Sequence, residues 1–233
     1  MQEWRMDTNG VLALVGGSEW TPGCTFDAQL LATSGSPDVV VLPTASAYQH
    51  PERVVLQAAD WFGTMGGQVE GLMVVDRDSA NDPGMAAVVA GASFIYLSGG
   101  SPLHLKSVLK GSATFDALRQ AWAGGAVVAA SAAGAVVLTD PMVDPRGGGL
   151  TVGLGLIEQL AVMPEFSEEL GGAHAQRLER TVALAPEGLP VVGIPDRTAL
   201  IRAANGTWSC EGAHDPVVFL NGSRTQGLGA LAG

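Results

Sequence analysis

The chain has 233 residues, 47% of them hydrophobic and 15% charged, with a mean hydropathy of +0.26. That is enough apolar material for a large buried core, and the length suits one α/β domain over 1–233. A formal net charge of −11 argues against non-specific nucleic-acid binding, which needs a basic surface. No apolar run reaches the roughly 18 residues that span a bilayer, and residues 1–5 lack a signal-peptide layout, so a cytoplasmic protein is expected, with no membrane partner.

The first strand is expected over 11–15, a continuous apolar run ending in Gly16-Gly17-Ser18-Glu19. Open α/β sheets place their ligands at such carboxyl ends. The loop lacks the Gly-x-Gly-x-x-Gly of a dinucleotide fold, so no dinucleotide cofactor is expected. Loop chemistry over 20–27 leads to a helix over 28–34. A second strand over 39–42 runs into Pro43-Thr44-Ala45-Ser46. Apolar residues at helical spacing mark a helix over 52–62, with Pro51 in its first turn. A third strand is expected over 68–75 with Met73, Val74 and Val75 as its core, then a helix from Asp82-Pro83 through Val89. The fourth strand, 92–97, ends in Ser98-Gly99-Gly100-Ser101-Pro102, and helices follow over 103–110 and 114–123. Strands and helices alternating with short connections imply an α/β fold, a doubly wound parallel sheet flanked by helices.

Residues 126–130 are five apolar residues rising to Ser131, followed by Ala132-Ala133-Gly134-Ala135 and an apolar helical run through Leu138. A buried strand that turns sharply into a helix over residues with almost no side chain presents free helix N–H groups above the turn. In α/β hydrolytic enzymes this turn is the nucleophile elbow.

Beyond it, 140–149 is irregular and expected to be a loop shaping a pocket, and 153–163 carries Leu154, Leu156, Ile157 and Leu160. A helix is expected over 174–184 with Arg177, Glu179 and Arg180 on its polar side. The C-terminal end is β-rich: a strand from Val191, a hairpin of 198–203 with 207–210 around Asn205-Gly206, and a strand over 217–220. The Gly/Ala-rich tail from Gly227 is expected to fray. Cys24 and Cys210 match no metal spacing and are read as reduced thiols, Cys24 in a loop near the expected site.

The glycine loops at 16–19 and 98–100, Pro43-Thr44-Ala45-Ser46, the elbow, and Gly193-Ile194-Pro195-Asp196-Arg197-Thr198-Ala199-Leu200 share their order and spacing with one family. From Val11 to about Phe219 the chain resembles the cyanophycinase and aspartyl dipeptidase (dipeptidase E) family of serine peptidases. The resemblance implies a flavodoxin-like, class I glutamine amidotransferase-like fold, a homodimer, and a small peptide-like or amino-acid-derived ligand, with no cofactor and no metal. Such enzymes attack an amide carbonyl with a serine that a histidine deprotonates and an acid orients.

On that resemblance, Ala132 stands at the nucleophile position and Ser131 falls one residue early. Glu165, in Met163-Pro164-Glu165-Phe166, takes the place of the family's histidine, with His174 as an alternative base. Asp196 stands where the family often shows the acidic pair Asp-Glu, here Pro195-Asp196. The N–H groups of Gly100 and Ala133 are the implied oxyanion donors. Gly17, Glu19 and Ser101 are candidate ligand-binding residues, and Arg146, Arg177 and Arg197 are candidates for holding a ligand carboxylate. His50, His104 and His214 are read as structural. An alanine cannot attack a carbonyl, and a carboxylate of ordinary pKa near 4.3 is a poor relay for a serine.

With three positions changed, a naturally degenerate triad is favoured over an active serine (iso)aspartyl peptidase carrying a Ser→Ala change. Such a chain would bind its ligand, or use Glu165, Ser131 and Glu19 for acid/base chemistry without a covalent intermediate. Glutamine amidotransferase activity would need a cysteine at the elbow, and none is there.

Overall fold

Five short strands make the parallel part of the central sheet in the computed structural model, which describes residues 9–167 and 173–231. These are β1 (Leu12–Val15), β2 (Asp38–Leu42), β3 (Gln68–Gly71), β4 (Phe94–Leu97) and β5 (Val127–Ser131), parallel to one another in the spatial order β1-β5-β4-β2-β3. Every residue of β1, β4 and β5 is buried, as a strand covered on both faces requires.

The cover comes from α1 (Phe26–Ser34), α2 (Pro51–Gly63), α3 (Arg77–Ala80), α4 (Pro83–Gly91), α5 (Pro102–Leu109), α6 (Ala113–Ala123) and α7 (Ala133–Leu138). Alternate residues of β1 separate the two faces. Leu12 and Leu14 share a core with Leu105, Leu118 and Val136, whereas Ala13 and Val15 pack with Phe26, Leu30, Ala58 and Phe62. Helices α1 and α2 therefore lie on one face and α5, α6 and α7 on the other, which is the expected doubly wound arrangement. Side-chain caps start several helices: Asp82 accepts from Met85 N, Ser101 from His104 N and Ser112 from Phe115 N.

The third strand is shorter than expected and excludes Met73, Val74 and Val75. Ser79 Oγ accepts from the N–H groups of both Val75 and Asp76, and Asp76 caps α3 in a reciprocal capping box. The helix start draws the chain away from β2 after Leu72.

After α7 come four two-residue strands, β6 (Thr139–Asp140), β7 (Met142–Val143), β8 (Leu150–Thr151) and β9 (Ile157–Glu158), paired β6 with β9 and β7 with β8. Then follow β10 (Ala161–Met163), α8 (Ala173–Leu184), β11 (Val191–Gly193), β12 (Thr198–Arg202), β13 (Trp208–Gly212), β14 (Val217–Leu220) and β15 (Ser223–Arg224). The β12–β13 hairpin joins the main sheet antiparallel against β1, so the seven-stranded sheet is mixed rather than wholly parallel. The remaining strands form a second sheet, β10-β11-β14-β15. The tail does not simply fray: Leu228, Ala230 and Leu231 pack against the larger core. Among the described residues no helix is long and apolar enough to cross a membrane.

Candidate functional site

Three adjacent parallel strands, β1, β5 and β4, end side by side, with Val15 opposite Ser131 and Leu97 opposite Ala130. Their loops therefore meet above the sheet, the position open α/β sheets use for ligands. At the end of β5, Ala132 donates its N–H to Val15 O at 2.9 Å and adopts φ 45°, ψ −103° before α7 begins. A side chain held there strains the backbone by about 1–3 kcal/mol. Ala132→Gly is accordingly expected to stabilise the chain by about 1 kcal/mol after the extra unfolded-state entropy of glycine is subtracted, read as a raised urea midpoint.

Ala132 lines a cavity of about 580 Å³, together with Gly100, Ala133 and Glu165. Gly100 and Ala133 thus share the cavity with residue 132, and their N–H groups are backbone donors that survive loss of a side chain. Ser131 does not reach it as a nucleophile. Its side chain is fully buried, and Oγ donates to Glu19 Oε2 at 2.8 Å. Glu19 Oε1 accepts from Gly99 N at 2.8 Å, so one carboxylate ties the loops of β1, β4 and β5 together.

Glu165 follows β10, and its N–H donates to Gly16 O. Arg197 N donates to Gly17 O at 2.9 Å, which draws Pro195-Asp196 to the same loop. Gly17 has φ 144°, and a Cβ there would stand 2.6 Å from Asp196 Oδ1 and 3.1 Å from Glu165 Cγ, so glycine lets the two acidic residues converge. Asp196 Oδ1 is buried without a hydrogen-bond partner among the described residues.

Other implied residues lie elsewhere. Arg146 is exposed and pairs with Asp144 through Nε and Nη2 at 3.0 and 2.7 Å, holding that carboxyl down to about 2; it does not line the cavity. Ser101 caps α5. Arg197 is exposed. His104 Nε2 contacts Val75 O, and His50 pairs with Glu52. His174 falls in the first turn of α8, but its side chain lies outside the described residues. Arg177 does line the cavity, and so do Gln49, Val143, Phe166, Phe219 and Arg224, none of which the sequence singles out. Phe166 alone had a local signal, its place in the Met163–Phe166 motif.

Beside Glu19 the second core contains a polar knot. Asp27 is fully buried; Oδ2 accepts from Trp61 Nε1 at 2.8 Å, and Oδ1 has no partner among the described residues. Burial, reinforced by the charge of Glu19, pushes its carboxyl up from 3.8 to about 7. Burial likewise pushes the Tyr96 hydroxyl up, and raises the Cys24 thiol, which leans on Ser18 O. Cys24 is therefore a packing thiol rather than a reactive one. Among the described residues no group of three or more His, Cys, Asp and Glu side chains is gathered to hold a metal ion.

Comparison with known proteins matches this geometry. The sequence model of peptidase family S51 covers residues 12–207. Over 208 residues the chain is 27% identical to the cyanophycinases of Synechococcus elongatus and Thermosynechococcus vestitus, covering 84% of this chain and 63% of each relative. The cyanophycinase of Nostoc sp. is 26% identical over 207 residues, 84% of this chain and 68% of the relative. The chain thus spans a little under two thirds of the length of the first two relatives. Two solved structures share the fold. A peptidase from an acI-B1 Actinobacterium superposes with a TM-score of 0.82 at 24% identity over 94% of both chains. A putative peptidase E protein from Listeria monocytogenes EGD-e gives 0.61 at 14% identity over 94% of this chain and 100% of its own. A sequence match from the first strand into the β12–β13 hairpin, on a sheet of this order, makes the chain a member of peptidase family S51.

Proposed function

We propose that this chain is a pseudo-peptidase: it binds a small peptide-like ligand over the elbow and does not form an acyl-enzyme. The observation that carries the reading is the line Ala132, Glu165, Asp196. A methyl group sits at the strained tip, Glu165 lines the same cavity, and Asp196, which converges with Glu165 on Gly17, keeps a buried acceptor unused among the described residues. A histidine at 165 would have a ring N–H to give Asp196, whereas a glutamate side chain carries no N–H to offer it. Attack on an amide needs an oxygen or sulfur nucleophile, which residue 132 lacks. What persists is binding apparatus: backbone donors at Gly100 and Ala133, the Glu19 brace, and a cavity of a size that suits small ligands. The family likeness extends the reading to a cytoplasmic homodimer, for which light scattering should give twice 23.8 kDa.

The alternative, an active (iso)aspartyl peptidase with a Ser→Ala change, draws support from the strained elbow, which is the conformation a nucleophile would use. Ala132→Ser separates the two. Under the pseudo-peptidase reading, the single variant hydrolyses Asp-X and β-aspartyl dipeptides no faster than the parent. Ala132→Ser with Glu165→His gains about 10²-fold or more, the usual contribution of a positioned base. Strong hydrolysis by the single variant would sink the proposal.

A further inference from the structure

We propose that the cavity selects a short peptide whose apolar side chain fills it and whose free carboxylate meets Arg177, with the peptide amide over the Gly100 and Ala133 N–H groups. This rests on the reading above that the site holds a peptide-like ligand, and it names the ligand's class. The apolar part of the wall is Val136, Val143, Met163, Phe166, Leu178 and Phe219, drawn from α7, β7, β10, the segment after it, α8 and β14.

The wall is built rather than incidental. The Phe166 ring occupies the space where residue 193 would carry a Cβ, 2.6 Å from its Cγ, so glycine at 193 lets the ring pack against that backbone while still lining the cavity. The ring then meets Phe219 edge-on, centroids 6.5 Å apart at 64°. A charged side chain against such a surface loses its hydration without compensation, whereas an apolar one is favoured there.

Cations also reach the cavity, from Arg177 and Arg224. Arg177 is held in place: Nη1 donates to Pro145 O at 3.3 Å, and the buried Thr181 hydroxyl lies 2.7 and 2.8 Å from the carbonyls of Gly148 and Arg177. Among the described residues that is the guanidinium's one donation, which leaves most of its five donors for a ligand. A terminal carboxylate meets this cation in the bidentate geometry it favours without placing a charge on the apolar wall.

Calorimetric titration of the parent chain with Phe-Gly, Asp-Gly, Lys-Gly and Phe-glycinamide tests the assignment. Phe-Gly is expected to bind at least about tenfold more tightly than Asp-Gly or Lys-Gly, and about fivefold or more tighter than its amide. Arg177→Gln should bind Phe-Gly and Phe-glycinamide alike. Leu178→Gln should weaken Phe-Gly about fivefold; Phe219→Asn, on a different element, serves the same purpose if the first variant melts abnormally. Asp-Gly or Lys-Gly binding as well as Phe-Gly, or an amide as tight as the acid, overturns the inference while a peptide ligand stands. No binding by any of the four overturns both.

Discussion

Replacing Asp27 with asparagine is expected to stabilise the chain at pH 8 by up to about 4 kcal/mol and to leave it nearly unchanged at pH 4. The sign follows from the direction of the shift. Asp27 holds its proton to about pH 7 in the folded chain, against 3.8 ordinarily. A group whose folded pKa is raised in this way binds a proton that the unfolded chain has already released. Its contribution is most favourable below pH 3.8, falls as pH rises towards 7, and is flat above that. Asparagine keeps an oxygen for Trp61 Nε1 and has no charge to bury, so the difference between parent and variant should open across that window. Carboxylates far from residue 27, such as Asp144, titrate alike in both proteins and cancel in the comparison. Urea unfolding at pH 4, 6 and 8 is the measurement; two parallel stability curves would mean that Asp27 is not the group held protonated.

Glu19→Ala should cost about 3–5 kcal/mol, and Glu19→Gln about 1. The alanine strands two groups at once, the Ser131 hydroxyl, fully buried, and the Gly99 N–H, each carrying a desolvation penalty of about 1–3 kcal/mol. Glutamine can accept from Gly99 through its oxygen and donate to Ser131 Oγ through its nitrogen, so it loses the charge and reverses the serine bond but leaves neither link empty. In a domain of this size the alanine variant should melt roughly 10 °C lower. The damage should also appear as weakened peptide binding, because Glu19 ties the loop of Gly100 to the elbow. Equal melting of the two variants would show that the three loops hold together without that carboxylate. Removing the Glu19 charge also relieves Asp27, so the pH dependence of stability should shrink in Glu19→Gln.

The half of the fold that the residue pattern displays is the half buried on both faces. Leu12–Val15, Phe94–Leu97 and Val127–Ser131 are buried throughout, and apolar but for Ser131 and the Tyr96 hydroxyl, because helices cover them twice, and each ends in small residues where the chain must turn. Gln68–Gly71 is an edge strand with alternate residues exposed, and its apolar continuation belongs to a different device, the Asp76–Ser79 cap, so pattern alone placed the strand's core too late. Four residues of α3 are too few for a helical period to register. The elbow and its glycine loops were legible because their chemistry is local. The rest of the candidate site was not, because it depends on pairings between distant segments. Placing β12 against β1 brings Asp196 to Gly17, and the second sheet carries Phe219 to Phe166. Arg146 and Arg177 looked equivalent as candidate cations. The nearest clue was Asp144, two residues before Arg146, which claims it for a surface pair.

The bend at residue 132 has an evolutionary corollary. Its backbone is fixed by Val15 O on one side and the first turn of α7 on the other, independent of the side chain it carries. Placing a hydroxyl there asks nothing new of the scaffold, and alanine codons differ from one set of serine codons at a single base. Turning glutamate into histidine takes two. On the pseudo-peptidase reading proposed above, the larger genetic step towards a serine–histidine pair therefore lies at position 165 rather than at the tip.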